Sequence, residues 1–232
     1  MSRLHFIGGE KGGVGKSVIS RLLAQYYIDR EVAFKSYDAD LSHGAMMRYY
    51  SDFTRAIDVS QFDQVDSIVE ENAESDGVAI VDLAAQTSIP LKKWIVDTGL
   101  LELAGEIGMK ISFWHVMDDG SDSLKLLHNL LDDYSAGAET IVVRNHGRGT
   151  DFSHLSGEDI QDKLTRNRAN VIDIPALHAP TMRKIDHIDA SFWAAANNSD
   201  NALGPTLGLL ERQRVKTWLY KAYTQFDRVH RD

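Results

Sequence analysis

Glu10-Lys11-Gly12-Gly13-Val14-Gly15-Lys16-Ser17 is the stretch whose reading decides the fold. A glycine run ending in Lys-Ser, set between an apolar strand and a helix, is a phosphate cradle. The glycines let backbone N–H groups turn inward, and the helix that follows aims its positive end at the anion. In this reading Lys16 reaches the β- and γ-phosphates and Ser17 ligates Mg²⁺. The flanks agree: Leu4-His5-Phe6-Ile7 is a strand-like run, and Val18 to Tyr27 has helical apolar spacing. The strict pattern has glycine at position 10, where this chain has Glu10. In its place the chain carries a second lysine, Lys11, five residues before Lys16.

Working outward, short apolar runs alternate with helical segments. Strands are predicted at 3–7, 32–38, 77–82, 109–117, 139–144 and 170–174, and helices at 16–30, 61–74, 90–106, 121–135, 156–167, 179–196 and 207–229. Val78-Ala79-Ile80-Val81 and Thr140-Ile141-Val142-Val143 are apolar on both faces, as strands buried under helices on each side must be. The expectation is a three-layer, doubly wound α/β fold: a mostly parallel sheet flanked by helices, with ligands at the carboxyl ends of the strands. The polar residues just after each strand are therefore the candidates for chemistry.

The second strand ends Tyr37-Asp38-Ala39-Asp40-Leu41-Ser42-His43-Gly44. Two carboxylates at alternate positions after a strand can serve Mg²⁺ and an attacking water, or simply make a turn. The third ends Val81-Asp82-Leu83, an apolar run capped by one acid. That is what a water-mediated Mg²⁺ contact needs, a hard oxygen ligand on a rigid element. Met117-Asp118-Asp119-Gly120-Ser121-Asp122 reads as a strand end, a glycine turn and acids favouring a helix start, not a metal site. Neither zinc-ligand spacing among the nine histidines nor a nucleophile motif is present.

Lys11-Gly12-Gly13-Val14-Gly15-Lys16-Ser17 resembles the deviant phosphate loop of the ParA/MinD family of P-loop ATPases. The resemblance implies that Lys11, Gly12, Gly13, Val14, Gly15, Lys16, Ser17 and Val18 hold ATP. It also implies that Lys11 acts as a signature lysine, crossing to the partner's nucleotide in an ATP-bound homodimer. A cation arriving from a second subunit stabilises transition-state charge only when the dimer is closed. The Asp38-Ala39-Asp40-Leu41 stretch is similar to the switch I of MinD-type proteins, which gives Asp40 the hydrolytic water and Asp38 the metal or the loop. Asp82 then answers to the Walker B aspartate, with switch II after it, although Ala85-Gln86 departs from the glycine or proline often found there. Val142-Val143-Arg144-Asn145 resembles the strand whose terminal Asn reads adenine, and Ile174-Pro175 resembles the loop closing over the base. Asn after a strand is also a usual turn former. The segments Ser88-Ile89-Pro90-Leu91 and Ile174-Pro175-Ala176-Leu177 look like TraL-type ATPases encoded with conjugation genes.

Composition sets bounds on these expectations. With 232 residues, 43% of them hydrophobic, a single domain spanning 1–232 is expected. The chain has no apolar run approaching a membrane span and no signal-peptide pattern, which predicts a cytoplasmic protein. The absence of cysteine rules out a cysteine-ligated iron–sulfur cluster. A formal charge of −9 does not indicate a dominant DNA-binding surface, though it leaves room for a local basic patch. In the C-terminal helix (207–232), Val215, Trp218, Leu219, Ala222, Tyr223, Phe226 and Val229 share one face, interleaved with basic residues. That pattern suits core packing or a protein interface better than a membrane anchor.

The function expected is an ATP- and Mg²⁺-dependent dimerisation switch with slow hydrolysis, timed by an activating partner protein and serving plasmid partition or mobilisation. The rivals are a MinD-like membrane-positioning ATPase and a biosynthetic ligase of the dethiobiotin or cobyrinate type. The latter class generally lacks the second lysine.

Overall fold

Runs of β-branched and aromatic residues bounded by glycine or acidic turns form seven strands in the computed structural model. It describes residues 2–41, 44–75, 77–134, 137–200 and 206–230. The strands are β1 (Arg3–Gly8), β2 (Phe34–Asp38), β3 (Thr54–Ala56), β4 (Val78–Asp82), β5 (Lys110–Met117), β6 (Glu139–Asn145) and β7 (Asn170–Ile174). All pairings are parallel, and the order across the sheet is β3-β2-β4-β1-β5-β6-β7. The chain runs outward from β1 to one edge, returns through β4, and leaves β1 on the other side through β5. This reversal makes the carboxyl end of β1 the topological switch point, where such sheets hold ligands.

The helices are α1 (Lys16–Asp29), α2 (Ala45–Tyr49), α3 (Phe62–Ser75), α4 (Ser88–Thr98), α5 (Leu100–Ile107), α6 (Ser121–Asp133), α7 (Glu158–Arg166), α8 (Ala179–His187), α9 (Phe192–Asn197) and α10 (Leu209–Val229). One face of the sheet buries Ile7, Trp114, Ile141 and Val143 against Leu22, Leu23, Phe192, Trp218 and Phe226. The other buries Phe6, Val81, Ile111 and Phe113 against Val65, Ile68, Trp94 and Ala104. Leu127, Leu131, Ile160 and Leu164 of α6 and α7 cover Val142 near the far edge. With both faces apolar and covered, the central strands carry continuous hydrophobic runs.

Several details differ from the sequence expectation, which had no helix at α2. The sheet is wholly parallel. It gains the edge strand β3, three residues too short and too polar to register as a strand. The helix expected at 90–106 breaks at Gly99, whose φ of 61° ends α4 and starts α5. The helix expected at 179–196 breaks before Ser191, which caps α9 by accepting the Ala194 N–H, with Asp189 left-handed at φ 50° in the turn.

The apolar stripe of α10 lies inside the fold: Val215, Ala222 and Phe226 are fully buried and Trp218 nearly so. Trp218 donates its indole N–H to the Pro175 carbonyl at 2.6 Å. Asp227 accepts from Tyr26 and Arg30, and Tyr223 donates to Asp29. Arg214, Lys216, Lys221 and Arg228 face solvent. No helix among the described residues is long and apolar enough to cross a membrane.

Candidate functional site

The phosphate loop leaves β1 through Gly9, where φ is 135° and a Cβ would sit 2.5 Å from the Val116 carbonyl oxygen, so only glycine fits. Gly13 and Gly15 also take positive φ, 81° and 97°. Gly15 stands as the N-cap of α1 with no side chain to cap it and no acid in the first turn. The first-turn N–H groups of α1 therefore lack intrahelical acceptors and form a concentrated positive end. Val14 is fully buried and anchors the loop. Lys16 folds back under it, 8% exposed, with its Nζ 3.4 Å from the Lys11 carbonyl. Burial lowers the Lys16 pKa, while the carboxylates of Asp82, Asp40 and Glu10 offset part of that shift.

Asp82 ends β4 beside Asp38 of β2, the two in direct register. Both Asp82 carboxylate oxygens are buried without a hydrogen bond of good geometry. Burial pushes its pKa up to about 7, and Asp38 adds to the rise. The Ser17 and Ser20 hydroxyls and Lys16 lie close enough to moderate it. Ser20 donates instead to the Lys16 carbonyl at 3.3 Å. An orphaned buried carboxylate beside a serine hydroxyl is an all-oxygen donor set that suits a hard divalent cation. No group of three or more His, Cys, Asp or Glu gathers for a metal among the described residues. A cation at Ser17 and Asp82 would thus draw its remaining ligands from phosphate and water.

Asp38 has its carboxylate turned to the backbone. Oδ1 accepts the Asp40 N–H at 3.0 Å, and Oδ2 accepts those of Met46 and Met47 at 2.8 and 3.2 Å. It fastens the loop after β2 to the start of α2. Burial raises its pKa and these three N–H groups oppose the rise. Asp40 is half-exposed and close enough to Lys16 for its charge to be felt there. Ser42 and His43, which follow it, lie outside the described residues. After Asp82, the turn into α4 is made by Gln86 at φ 66°, a left-handed residue in a position that would suit a glycine. The Thr87 hydroxyl donates to the Ala84 carbonyl.

Lys11 sits at the outer rim and is tied within its own chain, its Nζ 2.6 Å from Asp118 Oδ2. That hydrogen bond raises the lysine pKa. Asp118 also accepts from the Ser123 hydroxyl at 2.6 Å and the Gly120 N–H at 3.1 Å. A side chain at Gly120 would come within 2.7 Å of the Lys11 Nζ.

No family model matches the sequence. The chain is 26% identical to a TraL protein of Escherichia coli over 98% of both chains. It is 23% identical to MobD of Acidithiobacillus ferrooxidans over 74% of this chain and 77% of that one. Among solved structures it resembles the MinD cell division protein of Aquifex aeolicus, with a TM-score of 0.52 over 97% of each chain at 13% identity. A nucleotide-binding protein of Archaeoglobus fulgidus in complex with ADP gives 0.50 over 80% of this chain and 86% of that one, also at 13% identity. The chain has the ParA/MinD-like P-loop fold and is similar in sequence to TraL.

The two residues expected at the base, Asn145 and Pro175, stand at the end of β6 and just after β7. Asn145 is 5% exposed and clamps the phosphate loop: its Nδ2 donates to the Val14 carbonyl at 2.7 Å and its Oδ1 accepts the Gly147 N–H at 3.0 Å. A Cβ on Gly15 would lie 2.3 Å from that Nδ2. Asn145 thus braces the loop in this structure, with one amide hydrogen and one lone pair of Oδ1 still unused by these two bonds. Pro175 stands after β7, half-exposed, with its carbonyl taken by Trp218.

Three residues that matter here were not assigned to the site from sequence. Asp118 holds Lys11. Asp119 accepts the N–H groups of Thr150 and Asp151 and ties the β5 end to the β6 end. Glu10, in the glycine position of the strict motif, accepts the Ser88 N–H at 2.7 Å and so caps α4. The rule of examining residues after each strand points to Asp118 as readily as to Asp40 and Asp82. The helix-start reading of that acidic run hid it.

Proposed function

We propose that this chain is an ATP-dependent dimerisation switch with slow hydrolysis, acting in plasmid mobilisation or partition with an activating partner protein. The observation that carries the reading is a buried lysine beneath a glycine cradle, set against a carboxylate with no partner of its own. Backbone N–H groups from Gly12 to Val18 and the Lys16 ammonium would bind the β- and γ-phosphates. Ser17 and Asp82 would hold Mg²⁺, with Asp38 keeping the loop behind them in place. When bound, the metal would neutralise charge developing on the phosphate oxygens. Asp40, half-exposed on the loop after β2 and near enough to Lys16 for its charge to act there, would orient the attacking water.

Dimerisation is supported by what surrounds the cradle. Lys11 lies at the rim, and large apolar side chains flank both switches: Leu41 after Asp40 is 67% exposed and Ile89 in α4 is 80% exposed. Exposed apolar side chains at a site rim mark a surface that another protein covers. In such a dimer Lys11 would leave Asp118 for the partner's phosphates. A MinC:MinD complex of Aquifex aeolicus shares the fold (TM-score 0.50), which is in keeping with a partner protein. The buried stripe of α10 favours packing over membrane binding, and the net charge gives DNA no broad surface. The process is inferred from the similarity to TraL and MobD, and a cytoplasmic location goes with it.

The test is phosphate release from Mg·ATP by the full chain beside its Lys16→Ala variant. Slow release by the wild type and loss of ATP binding in the folded variant are expected. Equal ATP affinity in both proteins removes the phosphate-loop assignment.

A further inference from the structure

A cavity of about 170 Å³ lies beside the start of the phosphate loop at Gly9 and Glu10, between β1, β5, the start of α4 and the second half of α6. Near-parallel rings line it. Phe6 stacks on Phe113 with centroids 5.4 Å apart and planes 15° off, and Phe113 stacks on Tyr134 at 4.2 Å and 17°. Leu91 and Leu130 line it as well. An apolar cavity of about 150 Å³ is enough to take a benzene-sized ring.

Three side chains lining this space have hydrogen-bonding capacity left over among the described residues. His115 is 4% exposed and donates its Nε2–H to the Ser123 carbonyl at 3.0 Å, which leaves Nδ1 as an unused acceptor. Burial lowers its pKa to about 4, so the ring is neutral at pH 7. The Tyr134 hydroxyl and the Asn129 amide are also without partners. His115 and Tyr134 are nearly buried side chains and Asn129 is exposed at the rim, so a molecule bound in the space would meet hydrogen-bonding groups from its floor to its mouth, His115 Nδ1 above all. Glu10 and Asp133 also line the space; Asp133 is paired with Lys92, and Glu10 leaves a negative charge there that opposes an anion. Most small-molecule sites have this composition, mainly apolar with a few convergent polar groups.

We propose that this cavity binds a small planar ring compound, uncharged or cationic, with an N–H or O–H that donates to His115 Nδ1. The ring continues the stack of Phe6, Phe113 and Tyr134; the Glu10 charge, and the lack of a donor on a carboxylate for His115 Nδ1, reject anionic rings of the same size. Such a ligand touches Glu10 and Ser88, the pair that joins the phosphate loop to α4.

Indole and benzoate are the probes, titrated into the full chain without nucleotide by calorimetry and by ¹H–¹⁵N spectra. The outcome is thus independent of whether the loop binds ATP. Indole should bind saturably and benzoate should not. Shifts should cluster at Gly9, Ser88, Asn129 and Tyr134 and spare Ala176 and Leu177. Leu126→Trp, a half-exposed position at the rim, should weaken indole by about tenfold or more by filling the space. Asn129→Ala, fully tolerable at an exposed position, should weaken it several-fold and serves if the tryptophan variant misfolds. Absence of saturable binding, equal binding of benzoate, or shifts centred elsewhere would overturn the proposal.

Discussion

Replacing Asp82 by Asn should make the ligand-free protein more stable and, at the same time, insensitive to the metal. The Asp82 carboxyl moves from an ordinary 3.8 to about 7, chiefly because it is buried with both oxygens unpartnered. The sign follows from linkage. Below pH 4 the group is protonated in both states and contributes nothing. Between pH 4 and 7 the unfolded chain releases the proton and the folded chain keeps it, so stability falls as pH rises. Above pH 7 the loss is complete, at roughly 4 kcal/mol from the distance between the two pKa values. Asn carries no charge but still has an amide to satisfy, which reduces the expected gain to the order of 1–3 kcal/mol at pH 8. Urea unfolding of both proteins at pH 4 and pH 8, with and without Mg·ATP, reads the effect. D82N should exceed the wild type at pH 8 and lose that margin at pH 4, where the amide cost remains and the charge penalty is gone. Mg·ATP should stabilise the wild type far more than it stabilises D82N. A variant weaker than the wild type at pH 8, or one with the same Mg²⁺-dependent gain, would refute the argument.

Asp40→Ala should bind ATP normally and turn it over more slowly by a factor on the order of 10²–10⁴, as expected for loss of a water-orienting group; an unchanged rate of phosphate release makes Asp40 a turn residue. Trp218→Ala should cost about 3–5 kcal/mol, because it empties the contact with Phe192 and strands the Pro175 carbonyl. Denaturant unfolding checks this, and a loss under about 1 kcal/mol would mean that α10 is only loosely docked.

Much of this fold was legible because the signals were local. The glycine loop, the doubly apolar strands and the single acid ending β4 each carry their meaning within a few residues. The misses share a different origin. Gly99 and the Ile188–Ala190 turn break helices whose apolar spacing runs on across the break, so periodicity alone could not find the ends. β3 owes its existence to pairing with β2, a tertiary fact that Thr54-Arg55-Ala56 does not announce. The site divides in the same way. Lys16, Ser17 and Asp82 were proposed from position along the chain, whereas the Lys11–Asp118 and Glu10–Ser88 contacts join residues 107 and 78 positions apart. Asn145 was placed at the correct strand end, but its amide turned to the Val14 carbonyl because Gly15 leaves room for it.

The central claim is that nucleotide closes a dimer through Lys11. Sedimentation of the full chain with Mg²⁺ and a slowly hydrolysed ATP analogue, beside the same protein without nucleotide and the Lys11→Ala variant, tests it most directly. The wild type should be a monomer alone and a dimer with the analogue, while the Lys11→Ala protein binds nucleotide and stays monomeric. A wild type whose mass does not respond to the analogue, or a Lys11→Ala protein that dimerises as fully as the wild type, would contradict the account.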